Sequence, residues 1–165
     1  MLILGIDPGT ATTGYGVIKK KGRGKGIVLN LEDYGCIVTT PKTSFPQRLS
    51  ILRKSLKKLL KEKRPDVIVI EELFFGQNRK TAMTVSHARG VILEACATTR
   101  IPIHEYQGLQ VKKGLTGRGH ADKKEIEEFV KKFLGKRKLA KPKDGFLDDA
   151  VDALAIAIYH SLNGS

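Results

Sequence analysis

Apolar residues at the start of the chain follow a pattern typical of a β-hairpin. Residues 2–6 (LILGI) form an almost continuous apolar run, which predicts a buried strand. The turn residues Asp-Pro-Gly-Thr follow at positions 7–10, and apolar side chains return between Tyr15 and Ile18. The pattern therefore predicts a second strand that pairs with the first in the antiparallel sense.

The next residues extend this sheet and then change period. Residues 19–26 (KKKGRGKG) predict a basic, glycine-rich loop, and residues 27–39 predict a third strand with a bulge at Gly35. Leucines then recur at helical spacing, which predicts a helix that begins after Ser44 and ends at Pro65. They are Leu49, Leu52, Leu56, Leu59 and Leu60.

The rest of the chain alternates strands and helices. Residues 67–70 (VIVI) form a short β-branched run, typical of a strand that is buried on both faces and therefore parallel to its neighbours. The order of elements predicts an α/β layered fold with a mixed sheet, and 165 residues suit one domain spanning residues 1–165. The remaining predictions are helices over 79–98, from 107, over 123–134 and over 146–160, with a strand over 101–104.

The charge of the chain indicates the class of partner. Lys and Arg number 30 against 17 Asp and Glu, which gives a net charge of +13. Such an excess favours nucleic acid through phosphate neutralisation, although an anionic membrane surface would also suit it. We favour nucleic acid and a cytoplasmic location, because no apolar segment approaches the roughly 20 residues of a membrane span.

Cysteine and histidine give no indication of a metal centre. Cys36 and Cys96 lie among apolar or small neighbours and form no CxxC pair, so we expect reduced, buried thiols. The four histidines do not have the spacing of zinc ligands.

Acidic residues occur where predicted strands end. Asp7 follows the first strand, and Glu71 and Glu72 follow the strand at 67–70. Functional groups of open α/β sheets gather beyond the carboxyl ends of strands. Successive strand residues point to opposite faces, so only one of the two glutamates can join Asp7, and the pattern leaves open which one. The alternative is that Asp7 only caps its own turn.

The last predicted helix carries three acids in its first turns. Asp148, Asp149 and Asp152 would be favoured there by the helix dipole, which is the simplest explanation. However, Asp149 and Asp152, like Asp148 and Asp152, share a helix face, where like charges repel. A bound cation would turn this repulsion into attraction.

Carboxylates from three distant parts of the chain would form a site for hard cations. Oxygen ligands suit Mg²⁺ or Mn²⁺, and two such ions can promote in-line displacement at phosphorus. We therefore expect metal-dependent hydrolysis of a phosphodiester, with basic loops that hold the flanking nucleic acid.

The chain resembles the RuvC family of Holliday junction resolvases, which are crossover junction endodeoxyribonucleases. Any one motif is weak, but their order and spacing are specific. The matching blocks are ILGIDPGT, TGYGVI, IEELFF, ARG, EY with LQVKK, GHADKKEI and DDAVDALAIAIYH. The resemblance implies a ribonuclease H-like three-layer fold with a five-stranded mixed sheet. It also implies symmetric, metal-dependent nicking of two opposing strands of a four-way DNA junction, which leaves 5′-phosphate and 3′-hydroxyl ends.

The resemblance also assigns roles to individual residues. It makes Asp7, Glu71, Asp149 and Asp152 the catalytic, metal-binding acids, with Mg²⁺ as cofactor, Mn²⁺ as a substitute and two ions per site. It implies a homodimer and a junction-migration helicase complex as a possible partner. The DNA-binding residues that it implies are Phe74, Lys112 and Lys123, although the pattern alone would assign Phe74 to the core.

Two other functions fit parts of the pattern. A phosphotransferase of the actin and sugar-kinase group also carries Asp-x-Gly-Thr in its first hairpin, but it duplicates the fold over a longer chain. A non-catalytic junction-binding module would keep the basic surface without the acids. The chain departs from the family at Ser86 and His87 and in its lysine-rich loops at 19–25 and 136–143.

Overall fold

A computed structural model describes residues 1–22, 24–72 and 79–164, without the side chains of residues 25 and 79–81. Most element types agree with the sequence pattern. The strands are β1 (Leu2–Asp7), β2 (Thr12–Lys21), β3 (Val28–Val38), β4 (Val67–Glu72) and β5 (Ile103–Gln107). The helices are α1 (Phe45–Lys63), α2 (Arg79–Ala97), α3 (Gly108–Thr116), α4 (Lys123–Phe133) and α5 (Leu147–Asn163), with a short 3₁₀ turn at Gly24–Gly26.

The strands form one five-stranded sheet in the order β3-β2-β1-β4-β5. β1 pairs with β2 in the antiparallel sense and with β4 in the parallel sense, and β5 is parallel to β4. β4 therefore lies inside the sheet, as its β-branched run predicts, and the predicted mixed five-stranded sheet is confirmed.

The alternation of strand side chains divides the core into two layers. Val67 and Val69 of β4 face α3, α4 and α5, whereas Ile68 and Ile70 face α1 and α2. Helices thus cover both faces of the sheet, which confirms the three-layer arrangement. Among the described residues, no helix is long and apolar enough to cross a membrane.

Glycines let α5 lie directly on β1 and β2. A Cβ atom added at Gly5 would lie 2.0 Å from the carbonyl oxygen of Ala153, and one added at Gly14 would lie 2.0 Å from that of Asp149. Gly16 likewise lies against the side chain of Leu154. Because only hydrogen fits at these positions, the first turns of α5 lie close to the carboxyl end of β1.

Three local predictions differ from the structure. The extra residue of β3 is Glu32, because Val17 pairs with Asp33 and Ile18 with Leu31, so the predicted bulge at Gly35 is wrong. Gly35 instead leaves room for the ring of Tyr15, whose hydroxyl oxygen would lie 2.8 Å from an added Cβ.

The ends of two strands also differ from the prediction. β2 continues through the lysines at 19–21, because each of them pairs with a residue of β3. β5 begins at Ile103 rather than at residue 101, since Pro102 has no N–H to donate and contributes only its carbonyl, which accepts from Ile68 N at 2.9 Å.

Candidate active site

The parallel pairing of β1 with β4 brings Asp7 to Glu71. Ile3 pairs with Val67 and Gly5 with Val69, so the next position on the same face joins Asp7 and Glu71. Their carboxyl groups share a hydrogen bond. Glu72 points to the other face and is exposed. The register therefore decides between the two glutamates that the sequence pattern left open.

α5 supplies the other two acids of the site. Asp149 and Asp152 are partly buried on the first turns of the helix, and both lie close enough to Asp7 to act on its charge. Asp148 is exposed and turns away to form an ion pair with Lys123, with Oδ2 and Nζ 2.8 Å apart. The four acids predicted from the sequence thus share one electrostatic neighbourhood at the carboxyl ends of β1 and β4.

Burial raises the pKa values of all four acids. Burial, followed by the charges of Glu71, Asp152 and Asp149, raises the pKa of Asp7 well above its usual value. Burial also raises the pKa of Glu71, although the Asp7 hydrogen bond and the Lys112 charge oppose it. It raises the pKa of Asp152 to about 6 with help from Glu71, and the pKa of Asp149 to a smaller extent.

Two lysines border the acids. Lys112 on α3 lies near Glu71 and Asp152, and its charge lowers the pKa of both. Lys123, the first residue of α4, interacts through its charge with Asp149 and Asp152 as well as with its ion-pair partner Asp148. Asp122 fixes this end of α4, because its Oδ1 accepts from Glu125 N at 2.9 Å. The two predicted DNA-binding lysines therefore lie at the site.

A small pocket lies between Glu71 and Asp152. Apolar side chains from α3, α4 and α5 line much of it. The other lining residues are Gly108, Val111, Lys112, Ile126, Ala155 and Ile156.

The turn after Asp7 is held by a residue that the sequence pattern did not single out. Arg48 Nη2 donates to the carbonyl of Thr10 at 2.9 Å, and its Nε donates to Thr39 Oγ1 at 2.9 Å. Thr39 Oγ1 in turn donates to the same carbonyl at 2.6 Å. From the sequence, Arg48 is one more polar residue on the polar face of an amphipathic helix. Its contacts with Thr10 and Thr39 become visible only in the fold.

The carboxylate oxygens of the four acids are the kind of ligand that suits a hard divalent cation, but their arrangement in this structure does not form a metal site. Over residues 1–22, 24–72 and 79–164, no group of three or more His, Cys, Asp or Glu side chains is arranged to hold a metal ion. Asp7 and Glu71 are instead joined to each other by a hydrogen bond. A bound cation would stabilise the ionised forms of four neighbouring carboxyl groups whose pKa values are raised.

The outcome for the remaining candidate is different. Phe74, the candidate base-stacking residue, lies outside the described residues.

Comparison with known proteins identifies the family. The family model for crossover junction endodeoxyribonuclease RuvC matches residues 3–160. The crossover junction endodeoxyribonuclease RuvC of Desulfitobacterium hafniense is 47% identical over 161 residues, which cover 98% of this chain and 92% of the relative.

Solved structures agree with this result. The Thermus thermophilus RuvC structure superposes with a TM-score of 0.84 at 31% identity, over 98% of this chain and 94% of that one. T. thermophilus RuvC in complex with Holliday junction substrate gives 0.83 at 28% identity, with the same coverage. The fold is ribonuclease H-like, and the chain belongs to the RuvC family of crossover junction endodeoxyribonucleases, which hydrolyse phosphodiester bonds.

Proposed function

We propose that this chain resolves four-way DNA junctions by metal-dependent hydrolysis at the site formed by Asp7, Glu71, Asp149 and Asp152. The observation that supports this most directly is the buried, hydrogen-bonded pair of Asp7 and Glu71, with Asp152 and Asp149 beside it. A purely structural role does not explain why four acids are brought together here, because the charges of Lys112 and Lys123 do not offset the burial that raises their pKa values.

The proposed ligands are these same four carboxylates, which would hold two Mg²⁺ ions, with Mn²⁺ as a substitute. Oxygen donors without sulfur or imidazole suit either cation. When bound, the cations would polarise the scissile phosphate and favour a nucleophilic water at neutral pH. The pKa of Asp152, raised to about 6 by burial, still leaves this carboxyl mostly ionised at neutral pH and therefore able to bind a cation.

The chain's own residues would orient the substrate. Lys112 and Lys123 border the carboxylates with opposite charge and would hold the phosphates that flank the cleaved bond. Arg48 fixes the turn after Asp7 and thereby the direction of that carboxylate. The apolar side chains of Val111, Ile126 and Ile156 line the pocket beside Glu71 and Asp152.

The proposed reaction leaves ends that a ligase can join. The water oxygen bonds to phosphorus while the bond from phosphorus to the 3′ oxygen breaks. The 3′ oxygen takes up a proton, and the products are a 3′-hydroxyl and a 5′-phosphate.

Symmetric resolution requires two active sites, so we propose that residues 1–165 form one nuclease domain that acts as a homodimer. A junction-bound state is favoured by the similarity to T. thermophilus RuvC in complex with Holliday junction substrate. Phe74 would stack on bases at the junction centre, and a junction-migration helicase complex is a candidate partner. We place this activity in the cytoplasm, because the matching relatives are bacterial and their DNA lies there.

Cleavage assays with matched variants test the proposal. The wild-type protein should nick a synthetic four-way junction in Mg²⁺ but not in EDTA, and it should leave linear duplex DNA largely intact. Glu71→Gln should abolish nicking, whereas Glu72→Gln, the same change on the opposite face of β4, should retain it. Equal activity of the two variants would contradict the assigned site.

A further inference from the structure

An exposed basic segment precedes the helix that carries Asp149 and Asp152. No acid occurs from residue 129 to residue 143. Five cations between residues 136 and 143 are exposed, and none of them forms an ion pair with a described carboxylate. They are Lys136, Arg137, Lys138, Lys141 and Lys143.

The backbone of this segment is held against the protein at both ends. Leu139 is only 3% exposed and belongs to the core beneath α5. The hydroxyl of Tyr34 donates to the carbonyl of Ala140 at 2.9 Å. Near α5, the thiol of Cys36 donates to the carbonyl of Phe146 at 3.3 Å, and Gly145 packs against the same cysteine. The cations are therefore displayed on a fixed surface.

Phe146 is the aromatic member of this surface. Its side chain is 63% exposed, whereas the next residue, Leu147, packs on the core. Cys36, which anchors its carbonyl, pairs with Gly14, and Gly14 in turn pairs with Asp7 and packs against the backbone of Asp149. The exposed ring is thus held beside the proposed active site.

We propose that Phe146 and the five cations at 136–143, together called the 136–146 patch, bind the DNA strand next to the cleaved bond. The ring would stack on an unpaired base at the junction centre, and the cations would neutralise phosphates of the same strand. Exposed aromatic rings beside cations are typical of surfaces that bind single strands. The inference rests on the proposed function, because its occupant is the substrate of that site.

DNA suits this patch better than a protein partner does. Its charge is positive throughout residues 136–143, with Asp144 as the one acid before Phe146, and it adjoins carboxylates that would act on a phosphodiester. An exposed run of lysines alone would most simply be a solvated face. The fixed backbone and the exposed ring beside the proposed active site favour a DNA-binding surface over a solvated one.

A tryptophan reporter tests the contact with the ring. The chain contains no tryptophan, so Phe146→Trp in an Asp7→Asn background would give a single tryptophan, which can be excited selectively above the absorption of the four tyrosines. Addition of a four-way junction in EDTA should quench its emission and protect it from iodide. The matched reporter is Leu162→Trp, about 24 Å away along α5, which should change little. Phe146→Ala should weaken junction binding about fivefold or more.

Salt titrations test the cations. Lys141→Gln with Lys143→Gln should weaken junction binding and reduce the slope of log K against log salt by about 1 to 2. The control exchanges Lys54 and Lys61 for Gln, because these exposed lysines of α1 lie on the other side of the sheet. It should leave the slope nearly unchanged.

These experiments distinguish failure of the proposed function from failure of the role assigned to the 136–146 patch. Absence of any junction binding by the Asp7→Asn protein would refute the proposed function itself. Tight junction binding with unchanged Phe146→Trp emission and an unchanged slope would overturn only the role of the 136–146 patch, and would leave it as a solvated or protein-facing surface.

Discussion

Replacement of Gly14 by alanine would place a methyl group where the backbone of α5 lies. The added Cβ would be 2.0 Å from the carbonyl oxygen and 2.4 Å from the carbonyl carbon of Asp149. Neither is the end of a flexible side chain, so β2 and α5 would have to separate by about 1.5 Å to restore ordinary contact. Overpacking of this kind costs about 1 to 3 kcal/mol of unfolding free energy.

The same displacement should reduce the cleavage rate by more than the loss of unfolding free energy explains. Asp149 itself would move, and misplacement of a catalytic group by about 1 Å can reduce a rate by about 100-fold. We expect Gly14→Ala to lower the midpoint of urea unfolding. Under conditions where the variant remains folded, we expect it to cut four-way junctions about 10-fold more slowly than the wild-type protein, or more slowly still.

The control for this variant is Gly26→Ala. Gly26 has nothing within 4 Å of an added Cβ, and it does not have a positive φ angle. Its substitution should change unfolding free energy by less than about 0.5 kcal/mol and leave cleavage intact. Wild-type stability and cleavage in Gly14→Ala would refute the argument that close packing of α5 positions the acids.

Three further experiments test separate parts of the account. Asp149→Asn should abolish junction cleavage, whereas Asp148→Asn should retain it, because Asp148 pairs with Lys123 on the exposed side of α5; equal loss would contradict the assignment. Lys112→Ala should weaken junction binding and reduce the salt slope by about one unit, and an unchanged slope would argue against a phosphate contact. Burial, aided by the nearby charges of His104 and Lys20, lowers the pKa of His160 to about 4. The unfolded chain, with its usual pKa near 6.5, therefore binds the proton more readily, so this contribution to stability is complete above about pH 6.5 and is lost as the pH falls towards 4. The loss should reach about 2 to 3 kcal/mol in urea titrations of the wild-type protein. It should be absent from His160→Gln, and parallel pH profiles for the two proteins would contradict the burial argument.

The sequence predicts most of the fold because its periodicities are strong. The β-branched run of β4 and the leucines of α1 each favour one structure, and both are confirmed. The ends of strands depend on pairing with neighbouring strands and not on the local pattern alone, as the start of β5 after Pro102 illustrates.

The candidate site was only partly predictable for a similar reason. The alternation of strand residues placed Glu71 and Glu72 on opposite faces, but only the register of β4 against β1 brings Glu71 to Asp7. The role of Arg48 depends on a contact with Thr10, 38 residues away along the chain, and no local pattern encodes such a contact. The choice of Asp149 over Asp148 comes from the resemblance to the family, because both acids lie in the first turn of α5 and the local pattern does not separate them.

Cleavage of a four-way junction by Asp7→Asn tests the central claim most directly. The substitution keeps the size of the side chain and removes the carboxylate that interacts with Glu71, Asp149 and Asp152 in the proposed cation site. With Mg²⁺ present and the junction fully bound, we expect no cleavage, while binding in EDTA stays close to that of the wild-type protein. Cleavage at the wild-type rate would contradict the assignment of these carboxylates as the catalytic centre.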